Sequence, residues 1–192
     1  IFVAVPVLVA KSRTLRFSNR AYTCMFAFFV LHAIGAHYTY SEVPWREWLP
    51  LTDAGTGPDA ARRNNYDRFV HFSYGLLMFP AVWELFAARA SPRRLWRYLM
   101  PVTFLMAHSV IYELIEWGAA EMFGGDLGVA CLGTQGDEWD AQKDMGLATA
   151  GILVGLLLTL AFSSSSGSPP APATVLPSGH DRPRDPRGPA CP

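Results

Sequence analysis

The sequence predicts an all-α fold, a polytopic bundle of transmembrane helices, and two observations carry that prediction. Of 192 residues, 51 % are apolar and only 17 % charged, against roughly 25 % charged in an ordinary soluble domain. The charges are also absent from long blocks: residues 21–41, 69–83, 98–112 and 145–162 contain no Asp, Glu, Lys or Arg. Crossing the hydrocarbon core takes about 20 mostly apolar residues. A soluble helix of that length would show a polar outer face, and Leu153–Leu160 has none. Sixteen basic and sixteen acidic residues cancel, which gives no support for a nucleic-acid partner, for which a net basic face is the usual mark. The bilayer is the partner that the composition implies.

The elements follow in order. Ile1–Ala10 is apolar but too short to span, and is read as the tail of a truncated helix rather than a signal peptide, because no basic segment precedes it. Four complete spans are expected at about 21–41, 69–88, 98–118 and 145–162, the middle two extended past their charge-free cores, which makes 1–162 one transmembrane helical domain. Pro80 and Pro101 fall inside spans, where each frees a backbone carbonyl. From Ser163 the chain turns to Ser, Pro, Gly and Ala, so 163–192 is expected to be a disordered tail. Cys24, Cys131 and Cys191 form no spaced pair.

Loop charges set an orientation. Segment 11–20 carries Lys11, Arg13, Arg16 and Arg20, and 89–97 carries Arg89, Arg93, Arg94 and Arg97, both without an acid. The 121–144 loop has only Lys143 against six acids, and the 42–68 loop is mixed. Basic loops face the cytoplasm, so 42–68 and 121–144 face outward and the C-terminal tail is cytoplasmic.

On that topology every strongly polar cluster falls at the outer end of its helix. His37 closes the first complete span. Asp67, Arg68 and His71 open the next, Asp67 and His71 sharing a face four residues apart. Glu113 and Glu116 close the third, and Asp137, Asp140 and Asp144 form one stripe entering the fourth. Ionisable groups at membrane depth face the bundle interior, where they pair or bind something. Glu113 and Glu116 repel if both are ionised, so they call for a cation, a shared proton, or partners such as His37, His71 or Arg68. A divalent metal answers this most economically. The candidate ligands are Glu113, Glu116, Asp137, Asp140, Asp144 and His71, with His37, Asp67 and Arg68 in support. Mixed carboxylate and imidazole ligands suit Zn or Mn, and a carboxylate-dominated set suits Mg or Mn.

Each cluster also has a plain reading: acids at a water interface, a dipole-favoured helix start, a helix-start ion pair, an aromatic belt around His37. Glu84 is expected to pair with Arg89 or Arg93. His32 and His108, near mid-membrane, read as interhelical hydrogen-bonders outside the site.

Four motifs in order make the chain similar to a known family: His37-Tyr38-Thr39-Tyr40; Asn65-Tyr66-Asp67-Arg68 with His71-Phe72; Tyr112-Glu113-Leu114-Ile115-Glu116-Trp117; and Gly133-Thr134-Gln135-Gly136-Asp137 with Trp139-Asp140 and Gln142 to Met145. Over about 1–162 it resembles the YjdF-like bacterial inner-membrane proteins. The resemblance implies a multi-pass inner-membrane fold and adds no reaction. Asp137, Asp140 and Asp144 are also similar to the Asp-rich helices of membrane phosphotransferases. Those require Gly after the second Asp and then Ala-Arg, where this chain has Ala141-Gln142-Lys143, and their site faces the cytoplasm.

Three functions are therefore expected to compete: an outward metal site of enzymatic type acting on a lipid or envelope precursor, a proton- or cation-coupled transporter or channel component, and a non-catalytic scaffold.

Overall fold

The computed structural model describes residues 15–48, 63–90, 93, 95–123, 135, 137–166 and 174–175. It contains five helices among them: α1 (Asn19–His37), α2 (Trp45–Trp48), α3 (Tyr66–Arg89), α4 (Trp96–Phe123) and α5 (Asp140–Ser166). A two-residue antiparallel pair, β1 (Leu15–Arg16) with β2 (Thr174–Val175), is the remaining regular structure described. The fold is all-helical, as expected. The apolar piece 1–10, Cys131, and the tail beyond Ser166 other than β2 lie outside the described residues.

Three helices are long and apolar enough to cross a membrane, at Tyr66–Arg89, Trp96–Met122 and Asp140–Phe162. They match three of the four expected spans. The fourth, at 21–41, is not established as a complete span. Its helix α1 stops at His37, where Tyr38 N–H closes on Ile34 O and Thr39 and Tyr40 take left-handed backbone angles (φ 51° and 54°). Such angles end a right-handed helix, leaving 19 residues, about 28 Å of helix. At the other end α5 runs four residues past the expected boundary, through Ser163–Ser166. Leaving an apolar medium removes the need for apolar side chains but not the backbone hydrogen-bond ladder. Pro80 and Pro101 sit inside unbroken α3 and α4.

Helix α3 is the centre of the bundle. It packs on α1, α4 and most extensively on α5, and α4 also packs on α5. A buried apolar layer of Phe79, Val82, Trp83, Leu105 and Ile152 joins α3, α4 and α5. The α3–α5 contact is set by glycines. A Cβ on Gly75 would overlap the Ala148 carbonyl oxygen and stand 2.6 Å from Ile152 N; a Cβ on Gly151 would overlap the Phe72 carbonyl. Small residues let helix backbones meet directly in this way.

The alternation read from loop charge is reproduced in space. At one end, Ser18 caps α1 through its Oγ, which accepts from Ala21 N at 3.1 Å, and Arg20 lies over the Phe162 ring. Glu84 is buried there, but its partner is neither Arg89 nor Arg93: it accepts from Ser18 N at 2.8 Å and Ser18 Oγ at 2.5 Å. The neutral N-cap reaches it where the basic residues of the following loop do not. At the other end Asn64 ties the outer connections together, donating to Ser41 O and Val43 O and exchanging two bonds with Gln135. Val43, Trp45, Tyr66 and Val70 form an apolar cap beneath them.

Candidate functional site

The start of α3, the end of α4 and the start of α5 converge, and local structure aims each polar side chain. Tyr66 fixes the start of α3: its N–H donates to Asn64 Oδ1 at 3.0 Å and its hydroxyl to Leu31 O at 2.8 Å. One turn on, Asp67 and His71 lie on the face that meets α5. Asp137 shapes the turn that leads into α5, its Oδ1 accepting from Trp139 N at 3.1 Å, so Asp140 and Asp144 follow on the stripe facing α3. Below, the glycine contact holds the two helices close: Gly75 is one turn from His71, and Gly151 two turns from Asp144.

The acids divide into two groups. Asp137 and Asp140 are neutralised by protein cations. Asp137 Oδ2 meets Arg68 at 2.5 Å and Lys143 at 2.6 Å, with Arg63 at 3.9 Å. Asp140 is buried against Arg63, with Arg68 at 3.5 Å. The Lys143 ammonium, with the Trp139 N–H and Arg68, holds the Asp137 carboxyl down at about 2. These two acids read as the anchor of the α5 start, the plain alternative already evident in the sequence for that stripe.

The second group is Asp67, His71, Asp144 and Glu113. One ligand atom from each of Asp67, His71 and Asp144 lies within 4.8 Å of the others. His71 Nε2 stands 3.5 Å from Asp67 Oδ1 and 3.4 Å from Glu113 Oε1. Asp144 is 2 % exposed, and its Oδ1 has no hydrogen-bond partner; neither has the buried Glu113 Oε1. Buried polar atoms are almost always paired, so two such carboxylate oxygens at one place are a specific signal. Ligand atoms around a tetrahedral Zn ion lie about 3.4 Å apart, so this cluster needs a small contraction to hold an ion.

Both carboxylates, with Glu116, line an open cleft of about 590 Å³ between α4 and α5. Glu116 is also hydrogen-bonded by Tyr112. A second cavity of about 240 Å³ lies on the other side of Asp67 and His71, between α1, α3 and α4.

Of the expected site residues, Asp67, His71, Glu113, Glu116, Asp137, Asp140, Asp144 and Arg68 are thus brought to one place. His37 is not. It is exposed and stacks edge-on against Tyr38, 4.8 Å between ring centres, because α1 ends there and turns its last residue outward. Arg63 was not among the expected site residues; it sits in a connection, where spacing carries no directional information. His32 and His108 were set aside, yet both line the second cavity. His32 pairs through Nδ1 with the Tyr40 hydroxyl, and His108 stacks on Tyr74. Imidazoles inside charge-free runs were the signal for them.

The family described as predicted membrane protein (DUF2238) matches residues 1–165. The chain is also 33 % identical over 168 residues to inner membrane protein YjdF of Escherichia coli (strain K12), covering 84 % of this chain and 75 % of that protein. No solved structure matches.

Proposed function

We propose, for a chain that belongs to the DUF2238 family of predicted membrane proteins, a divalent-metal site of hydrolytic type at the outer helix ends. The chain is a membrane protein with three helices able to span. The inner membrane is its proposed location, α1 its fourth span, and the acid-rich end its outward face, by the positive-inside reading of the basic loops.

Asp67, His71 and Asp144 hold the ion, with Glu113 as a further ligand or as base to a bound water. A nitrogen and several carboxylate oxygens suit Mn or Zn better than Mg. Bound there, the metal lowers the pKa of a water and polarises a phosphate or ester oxygen. The cleft beside it opens towards Leu114 and Trp117 on α4, which are exposed apolar residues, so a lipid or envelope precursor reaches it from the membrane plane. The observation that carries this reading is the buried Asp144, which leaves Oδ1 unpartnered and brings a carboxylate oxygen into one group with Asp67 and His71.

Transport is the weaker reading. Between the outer cluster and Glu84 lies the Phe79–Leu105–Ile152 layer, which is 0–1 % exposed and apolar.

The test is elemental analysis of the purified full chain in detergent, with melting curves against added Mn and Zn. The expected outcome is retained metal and a metal-dependent rise in melting temperature, both lost in Asp144→Asn and kept in Lys143→Ala. Metal-dependent release of inorganic phosphate from a lipid phosphate monoester in mixed micelles then tests the reaction. A wild-type chain that binds neither ion sinks the proposal.

A further inference from the structure

The second cavity has a mainly apolar and aromatic lining in which a few polar atoms are set. The rings of Phe28, His32, Tyr74 and His108 line it, and it shares Asp67 and His71 with the polar cluster. The rings stand in near-parallel pairs, Phe28 on His32 and Tyr74 on His108, each with an interplanar angle of 21°. Helix α1 packs on α3, and α4 packs on α3 and α5, which leaves a seam between α1 and α4. His108, exposed on α4, borders that seam.

Ser109 supplies the second observation. A Ser or Thr within a helix ordinarily returns its hydroxyl to the carbonyl four residues back, as Thr103 does to Leu99 at 2.8 Å and Thr149 to Met145 at 2.8 Å. Ser109 does not. Its carbonyl at that position, Leu105 O, takes the Tyr74 hydroxyl instead at 3.5 Å. The Ser109 Oγ is left buried, 4 % exposed, on the cavity wall with no hydrogen-bond partner. A buried hydroxyl without an acceptor is costly, and an occupant bearing an acceptor oxygen removes that cost.

We propose that this cavity binds the head group of a membrane-dissolved quinone, admitted from the bilayer through the α1–α4 seam. At about 240 Å³ it is just below the roughly 300–1,000 Å³ of typical small-molecule sites, which suits a single substituted ring. Ser109 donates to one carbonyl oxygen, the aromatic lining packs around the ring, and the apolar tail stays in the seam. An alkyl chain alone would leave the Ser109 hydroxyl facing hydrocarbon, so an occupant with an acceptor oxygen on a compact ring is favoured.

The experiment is equilibrium binding of decylubiquinone to the full chain in lipid nanodiscs, read against empty nanodiscs for partitioning. Saturable binding near one equivalent is expected, weakened about five- to tenfold in Ser109→Ala, which removes only the hydroxyl and spares the fold. Met78→Trp, which fills the cavity, is expected to abolish binding with its melting temperature retained. Chelator and Asp144→Asn are expected to leave binding intact, which separates this proposal from the metal site. Uptake no greater than in empty nanodiscs, equal affinity in Ser109→Ala, or displacement of a bound fatty acid without saturable quinone binding overturns it.

Discussion

Replacing Gly75 by Ala tests whether backbone contact between α3 and α5 sets the geometry of the polar cluster. The added methyl stands 2.6 Å from Ile152 N, and ordinary contact begins at 3.4 Å. The difference requires the helices to part by about 0.8 Å, and the still closer Ala148 carbonyl makes that a minimum. Both obstacles are backbone atoms, so no side chain can rotate away. Overpacking of this kind costs about 1–3 kcal/mol, or about 2–12 °C in melting temperature for a chain of this size. His71 lies one turn from Gly75 on the same face, so the same separation draws it and Asp67 away from Asp144. Loss of the surroundings that orient metal ligands typically costs about 10–100-fold in metal affinity, and a fall of that order is expected. The assay is a detergent melting curve paired with a Mn or Zn titration. Gly118→Ala and Gly146→Ala are the controls, because a methyl there meets nothing within 4 Å. Each is expected to leave the melting temperature unchanged or to raise it, Ala being favoured over Gly in a helix by about 0.5–1 kcal/mol. If Gly75→Ala melts with these controls, the reasoning about the helix contact is wrong; if it melts lower yet binds metal normally, only the link to the cluster fails.

Three further outcomes follow from the ion pairs and caps. Arg63→Ala is expected to destabilise by about 3–5 kcal/mol, because it strips a cation from the buried Asp140. Lys143→Ala is expected to cost at most about 1 kcal/mol, its side chain being 49 % exposed; equal losses in denaturant or thermal titrations would count against this division. Asp137 has its folded pKa lowered from 3.8 to about 2 by Lys143, Trp139 N–H and Arg68. Its contribution is therefore present above pH 4 and lost as the pH falls through about 2, so the wild-type advantage over Asp137→Asn should shrink across that window in melting curves. A gap constant down to pH 2 would remove the ionised carboxylate from the explanation. Ser18→Ala deletes both the α1 cap and one of two bonds to buried Glu84, an expected loss of about 1–3 kcal/mol. Ser18→Thr should recover most of it, and a Ser18→Ala chain as stable as wild type would show that Glu84 has another partner.

Much of the fold was legible because the bilayer imposes a one-dimensional constraint. Apolar runs long enough to span, separated by polar loops, mark out helices without any knowledge of contacts. Hence the spans around 69–88, 98–118 and 145–162 stand close to the helices observed. The run 21–41 fixed the helix less closely: it has no charge throughout, but α1 ends at His37, before the left-handed Thr39 and Tyr40 that no composition reveals. Depth along the membrane was equally legible, and it grouped Asp67, His71, Glu113, Glu116, Asp137, Asp140 and Asp144 at one end. Azimuth was legible only within a helix. Spacing put Asp137, Asp140 and Asp144 on one stripe, yet Arg63 reaches Asp140 across 77 residues, and no periodicity connects them.

By itself, then, the sequence determined that this is a helical membrane protein, which way its helices alternate, and that its acids gather at one end. Hydropathy and charge act residue by residue against the bilayer, so they can be read without a structure. Only the tertiary structure decided which acids were already matched and which were not. Arg63, Arg68 and Lys143 neutralise Asp137 and Asp140, while the glycine contact of α3 with α5 presses Asp144 against Asp67 and His71 with one oxygen unpaired. That division depends on helix rotation and separation to within about an ångström, the scale on which a hydrogen bond is made or lost.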